Sequence, residues 1–234
     1  MNYLGFMANT SNYVILSGAG MSADSGLKTF RDAGGLWEGH NVMDVATPEA
    51  FMRDPETVHR FYNQRRVQLQ ETTPNAGHLA LADLEKKHRV RIVTQNVDNL
   101  HERAGSSEVL HLHGELLKVR STANPQLILD WEGELSTHDR GPDGAPLRPH
   151  IVWFGEAVPE LERAAHWVQE AKHILIVGTS MQVYPAASLI HYAASQAKIT
   201  FIDPAPQLPP ELSHRIDARS STAAVGVPQW VQEQ

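Results

Sequence analysis

Val14-Ile15-Leu16-Ser17-Gly18-Ala19-Gly20-Met21-Ser22-Ala23 is the stretch of this chain that decides the fold. The short apolar run that opens it is typical of a buried strand. The glycines that follow match the GxGxxA spacing of a dinucleotide-binding turn, in which backbone amides approach a pyrophosphate and a small third residue packs helix on strand. Taken alone, the pattern also fits an ordinary strand–helix turn without a ligand.

Composition limits the classes of protein to consider. A chain of 234 residues makes one domain, or one domain with an insertion lobe. Its net charge of −7 argues against nucleic-acid and membrane-surface partners. We find no apolar run of about 18 residues and no basic segment at residues 1–10, so we expect a cytoplasmic location. The absence of cysteine excludes disulfides and thiol nucleophiles.

Strand and helix patterns alternate along most of the chain. Strands are predicted at 13–17, 90–94, 174–178 and 199–203, with helices at 74–87, 160–171 and 186–196. This alternation predicts an α/β fold with a Rossmann-like parallel sheet. Residues 34–71 read as helical and residues 118–149 as polar and irregular, so we expect these two insertions to form a smaller lobe. We predict a single domain over 1–234, with the large lobe at about 10–33, 72–117 and 150–234.

The segment after the glycine turn is unlike that of a hydride-transferring dehydrogenase. Such an enzyme continues with a second strand and an acidic residue about 20 positions on. Here Ser25-Gly26 ends the helix, and Phe30, Arg31 and Trp37 lie in a glycine-containing stretch that reads as a loop able to close over a ligand. The pattern favours cleavage at a glycosidic bond over hydride transfer.

Polar residues follow the second predicted strand. Gln95, Asn96 and Asp98 carry side chains suited to ribose hydroxyls and a carboxamide, although Asn96 or Asp98 would also suit a helix cap. His111 and His113 alternate with leucines in a predicted short strand, which places both on one side. His113 precedes Gly114, which we expect to leave room for substrate, so His113 is the candidate general base; His101 and His111 are interpreted as structural.

These motifs together resemble the sirtuins, which are NAD-dependent protein lysine deacylases. The resemblance covers about residues 12–228 and rests on GAGMSADSG at 18–26, Thr29-Phe30-Arg31, TQNVDNLH at 94–101, HLHGEL at 111–116, PHIVWFGE at 149–156 and VGTS at 177–180. It implies a Rossmann-like lobe and a smaller lobe with a cleft for NAD and acyl-lysine between them. The implied products are free lysine, nicotinamide and O-acyl-ADP-ribose.

The resemblance also implies roles for single residues. The catalytic residues would be His113, as the base, with Asn96 and Asp98. Those that contact NAD would be Gly18, Ala19, Gly20, Ala23, Phe30, Arg31, Trp37, Gln95, Asn96, Asp98, Gly178, Thr179, Ser180, Asp203 and Ala223. Those that contact acyl-lysine would be Tyr62, Arg65, Val152, Trp153 and Phe154, with the last three pairing with the substrate backbone as an added strand.

Tyr62 and Arg65 indicate which kind of acyl group the chain would remove. Their i,i+3 spacing puts them on one helix face, where a guanidinium and a phenol suit a second carboxylate. A solvated basic helix face is the simpler interpretation of the pair alone. With Ala46-Thr47-Pro48-Glu49 upstream, however, the pair resembles sirtuins that remove succinyl or malonyl groups, many of which also accept acetyl-lysine.

Two features depart from the family pattern: Asp203 stands where the family usually has an asparagine, and the zinc cysteines are absent. Sirtuins commonly hold a structural zinc with cysteine pairs, and this chain has no cysteine. His138, Asp139 and Asp143 lie near one expected position, but one histidine with carboxylates is a poor structural zinc site, so we expect no zinc.

Other functions on the same scaffold remain to be weighed. An NAD glycohydrolase or ADP-ribosyltransferase would not need Tyr62, Arg65 or the 152–154 segment, and a non-enzymatic NAD sensor would not need His113. We therefore favour a deacylase acting on acyl-lysine proteins or peptides. Target proteins, the preferred acyl group and the oligomeric state are left open.

Overall fold

A computed structural model describes residues 11–28, 36–37, 40–180, 183–208 and 213–234. Within these ranges the largest element is a six-stranded parallel sheet of order β11-β10-β9-β1-β4-β5. Its strands are β1 (Asn12–Ser17), β4 (Arg89–Thr94), β5 (Val109–His111), β9 (His173–Val177), β10 (Lys198–Asp203) and β11 (Ile216–Ser220). The predicted α/β fold with a Rossmann-like parallel sheet is confirmed.

The central strand β1 packs against both helical layers because its side chains alternate between the two faces. Val14 and Leu16 join one buried cluster with Trp167, while Tyr13 and Ile15 join another with Trp230. The first layer contains α7 (Leu161–Glu170) and a 3₁₀ helix (Ala186–Tyr192). The second contains α5 (Ala76–Glu85) and α8 (Ala223–Gln232), and the short helix α6 (Leu100–Ala104) packs beside α5. Both faces of the sheet are thereby covered, as parallel sheets require.

The smaller lobe combines helices with a second sheet. Its helices are α2 (Val42–Val45), α3 (Pro48–Arg53) and α4 (Pro55–Glu71), preceded by the short strands β2 (Leu36–Trp37) and β3 (His40–Asn41). Thr47 and Asp54 accept the capping hydrogen bonds of α3 and α4, each just before a proline. Helices of residues 42–71 thus follow the predicted pattern.

The prediction that residues 118–149 are irregular holds for 122–127 and for most of 131–146, but it misses a small sheet. An antiparallel sheet of order β7-β6-β8 is formed by β6 (Gly114–Ser121), β7 (Ile128–Asp130) and β8 (Leu147–Ile151). Val119 and Leu147 pack with Leu135 in one small buried cluster, whereas Leu116 and Ile151 of the same strands pack into the cluster formed with helices α2 to α4. The segment between β7 and β8 packs on α4 through Asn63, whose amide donates to the carbonyl of Leu135 (2.9 Å) and accepts from its N–H (3.0 Å).

Candidate active site

The carboxyl ends of β1 and β9 meet at the point where the strand order reverses, which is where open α/β sheets bind ligands. Gly18 N donates to Val177 O (3.1 Å) and Gly20 N to Gly178 O (2.8 Å). A Cβ on Gly20 would lie 2.7 Å from Gly178 Cα, and one on Gly178, where φ is +61°, would lie 2.1 Å from Met21 N. The glycines therefore allow close approach between two backbone segments, and their short helix α1 (Gly20–Ala23) starts at this edge.

A buried polar network joins this turn to the end of β4. Ser22 Oγ donates to Asp98 Oδ2 (3.0 Å) and accepts from Asn96 Nδ2 (3.2 Å), which also donates to Gly18 O (3.1 Å). Burial raises the pKa of Asp98, against the opposing effect of hydrogen bonds from Leu100 N and Ser22. The structure thus brings together two of the predicted catalytic residues and adds Ser22, to which the sequence analysis gave no role.

His113 is oriented by the backbone of the same strand end. Its Nδ1 lies 3.0 Å from Gln95 O. Because a carbonyl only accepts, Nδ1 carries the proton and Nε2 keeps its lone pair. Burial lowers the pKa of His113 and outweighs the bond to Gln95, so the ring is neutral near pH 7. A neutral imidazole with a basic Nε2 is the state that a general base requires.

His111 and His101 have other partners. His111 contacts two acceptors, Asn96 O at 2.9 Å and Glu102 Oε1 at 2.7 Å, so both of its nitrogens carry protons. Burial opposes that charge, but the bond to Glu102 and its negative charge outweigh it and raise the pKa of His111. His101 is fully buried behind Ser17, with Nε2 3.0 Å from Ser17 Oγ, and burial lowers its pKa well below the ordinary value. Both contacts fit the predicted structural roles.

Two details around His113 differ from expectation. Strand β5 ends at His111, so His113 lies in the turn that leads into β6. Gly114 does not leave open space, because a Cβ there would lie 2.0 Å from His150 O, and its φ is +82°. The glycine is required where β6 crosses β8.

The remaining predicted NAD residues lie along the same sheet edge. Gln95 Nε2 donates to Thr179 Oγ1 (3.1 Å), which connects the ends of β4 and β9 beside Ser180. Asp203 ends β10, and its Oδ1 accepts from Ala205 N (2.9 Å). Ala223 is buried at the start of α8.

Some predicted residues cannot be placed in this site. Phe30 and Arg31 lie outside the described residues, and only the backbone of Trp37 is described, in β2. Ala19 and Ala23, in contrast, can be placed: Ala19 is the N-cap of α1 and Ala23 is its last residue.

The predicted acyl-pocket residues Tyr62 and Arg65 lie on α4, as expected. Tyr62 is fully buried and accepts from Trp153 Nε1 (3.0 Å), and burial raises its pKa, so the phenol stays un-ionised. The Arg65 guanidinium lies 5.7 Å from the ring centroid of Phe61, and the side chain is half-buried. The structure thus brings Tyr62 and Trp153 into direct contact on the small-lobe side of the cleft.

The segment 152–154 joins the two lobes instead of extending β8, which ends at Ile151. Val152 N donates to His113 O (2.9 Å), Phe154 N donates to Ala46 O (3.0 Å), and Trp153 N donates to Glu156 Oε2 (2.7 Å). These three N–H groups are already bonded within the chain. An added substrate strand would therefore pair with the carbonyls of this segment or with the residues after it.

The described ranges contain no group of three or more His, Asp or Glu side chains placed to hold a metal ion. Among the same residues, no helix is long and apolar enough to cross a membrane.

Comparison with known proteins identifies the family. Residues 18–185 match the Sir2 family. The chain is 60% identical over 193 residues to an NAD-dependent protein deacylase of Helicobacter pylori (strain J99), covering 82% of each chain, and 56% identical over 201 residues to one of Bacteroides thetaiotaomicron, covering 83% of this chain and 86% of the relative. A Sir2 homologue in complex with NAD superposes with a TM-score of 0.82 at 38% identity, covering 95% of this chain and 89% of the other. The chain belongs to the Sir2 family.

Proposed function

We propose that this chain, an NAD-dependent protein deacylase, moves the acyl group of a modified lysine onto the ADP-ribose part of NAD with His113 as the general base. The observation that carries the proposal is the state of His113, whose Nδ1 is bound to Gln95 O and whose lowered pKa leaves Nε2 able to take a proton. Acyl-lysine proteins or peptides in the cytoplasm are the partners that this reaction implies.

The residues at the sheet edge fit NAD. Side chains at Gly18 and Gly20 would collide with the backbone at 178–179, so the turn brings bare backbone to the place where a pyrophosphate would be held. Gln95, Asn96 and Asp98 offer amide and carboxylate groups for ribose hydroxyls and the carboxamide. When bound, NAD supplies an electrophilic ribose carbon and nicotinamide as a leaving group.

The protein residues would then act in distinct ways. Ser22 fixes the orientations of Asn96 and Asp98, because its hydroxyl is bonded to both. His113 Nε2 takes a proton from a ribose hydroxyl, and the N–H of Nδ1, held by Gln95 O, keeps the ring in that orientation.

We further propose that Tyr62 and Arg65 recognise a carboxylate at the end of an acidic acyl group such as succinyl or malonyl. Tyr62 is a neutral hydrogen-bond donor in a buried site, and Arg65 on the next turn of α4 can supply the positive charge. Acetyl-lysine would enter the same pocket without reaching this pair.

A His113→Ala variant tests the main proposal. We expect deacylation to fall by about 10²–10⁴-fold, the usual effect of losing a general base, while NAD binding, measured by calorimetry, is retained. His166→Ala is the matched control, since the His166 side chain is 68% exposed and lies on α7. If the His113 variant keeps most of its activity, the assignment of the base is wrong.

A further inference from the structure

A groove on the small lobe opens next to Trp153, away from the glycine turn. Its volume is about 370 Å³, and it is lined by α3, the end of β6, and the residues around 153–157. Helix α3 contributes Phe51 and Met52, of which Met52 is 76% exposed. The wall formed by α3 is apolar and accessible.

The other side of the groove is cationic. Arg148 Nη1 lies 2.7 Å from Glu156 Oε1, and Arg120 Nη2 lies 3.2 Å from Glu156 Oε2. Glu156 is the one acid among the described residues that line the groove, so two guanidinium groups share one carboxylate. Both arginine side chains are about nine-tenths buried, at 12% and 11% exposure, so this surplus positive charge is poorly hydrated.

Neighbouring groups offset this charge without neutralising it: Ile151 O accepts from both arginines, and Arg148 lies 3.4 Å from the centroid of the Trp153 ring, but neither group carries a formal negative charge. Glu156 also accepts from Trp153 N, which uses part of its bonding capacity. Asp143 lies beyond Ser121, where it accepts from the Ser121 hydroxyl and from Ala145 N. Burial, and then the charge of Arg148, lower the pKa of Arg120, as expected for a cation with too little negative charge around it.

We propose that this groove is a specificity subsite for an aspartate or glutamate side chain that lies near the acyl-lysine in the substrate protein. The inference rests on the proposed function. The groove lies beside the 152–154 segment, which we expect to contact the acyl-lysine, because Trp153 of that segment lines it. The carboxylate of this substrate side chain would pair with Arg120, and the methylene groups of the same side chain would pack on Phe51 and Met52. Because the whole chain has a net charge of −7, attraction of an acid here would be local.

The test is a scan of acetyl-lysine peptides. At each of about three positions on either side of the acetyl-lysine, Glu is compared with its neutral isostere Gln, and kcat/KM is measured by nicotinamide release. We expect Glu to be favoured by about 3- to 10-fold at one position, as for a partly exposed ion pair, with a preference that weakens as salt is added.

Two substitutions locate the preference. Arg120→Gln should bring the Glu-to-Gln ratio close to one. Because that change also removes a partner of Glu156, Met52 provides a second test at an exposed position: Met52→Glu should lower the ratio and Met52→Lys should raise it. Met43→Glu is the matched control, because Met43 is 58% exposed and does not line the groove, and it should leave the ratio unchanged.

The outcomes separate this inference from the proposed function. A flat scan on an enzyme that deacetylates the peptides overturns the subsite and leaves the deacylase assignment intact. If Glu is preferred but substitutions at Arg120 and Met52 leave the Glu-to-Gln ratio unchanged, the subsite does not lie in this groove. Failure to release nicotinamide with any acetyl or succinyl peptide contradicts the proposed function itself.

Discussion

Replacing Ser22 with alanine removes the hydroxyl that links the glycine turn to the end of β4. The hydroxyl makes two buried bonds, one to the Asp98 carboxylate at 3.0 Å and one from Asn96 at 3.2 Å. A net bond to a charged group contributes about 1.5–3 kcal/mol and a neutral one about 1 kcal/mol. Asn96 keeps its bond to Gly18 O, so we expect the free energy of unfolding to fall by roughly 2–4 kcal/mol.

The pH dependence of this loss can be worked out from Asp98. Burial raises its pKa, so ionising Asp98 opposes folding, and its contribution to stability declines as pH rises through the folded-state pKa. Without the Ser22 donor, the pKa of Asp98 should rise further. The part of the stability loss that comes from the charge-assisted bond should therefore be complete above the pKa that Asp98 has in the variant. It should diminish as pH falls through that pKa.

Urea unfolding followed by circular dichroism at several pH values measures both effects. Ser195→Ala, at an exposed serine, is the control and should cost almost nothing. The reasoning is refuted if Ser22→Ala loses less than about 0.5 kcal/mol, the range of an ordinary surface substitution. It is also refuted if the loss grows as pH is lowered.

Further predictions concern specificity, pH and metal. Arg65→Met should reduce desuccinylation by roughly 30- to 1000-fold and leave deacetylation within a few-fold, and equal losses on both substrates would rule out the acidic-acyl pocket. Since the pKa of His113 is lowered below its ordinary value of 6.5, kcat/KM should stay constant as pH falls towards 6.5 and drop only below it. A drop centred above 6.5 would contradict that assignment. Elemental analysis should find no stoichiometric zinc, and a melting temperature lowered by chelator would show that a metal is bound.

The sequence was most informative where chemistry and backbone geometry demand particular residue types. The apolar runs at β1, β4, β9 and β10 are buried on both faces, so they stand out as strands without knowledge of their neighbours. Thr47 and Asp54, each followed by a proline, likewise indicate where the helices that they cap begin. These signals are local, and the structure follows them.

Features that depend on distant contacts were missed or misread. Gly114 is required by His150 across two strands, which no local pattern reveals. Ser22 gains its role only when folding brings Asn96 and Asp98 against it. The sheet of residues 114–151 has short strands separated by long irregular segments and was therefore read as irregular. The bound N–H groups of Val152 and Phe154 likewise depend on His113 and Ala46, which are remote in sequence.

The most direct test of the central claim is to identify the products by mass spectrometry. The protein is incubated with NAD and a lysine peptide that carries an acetyl or a succinyl group. The account predicts that deacylated peptide, nicotinamide and O-acyl-ADP-ribose form in equal amounts, with the acyl mass transferred to the ADP-ribose. Free ADP-ribose with an unchanged acyl peptide would contradict it and indicate an NAD glycohydrolase, and ADP-ribose attached to the peptide would indicate a transferase.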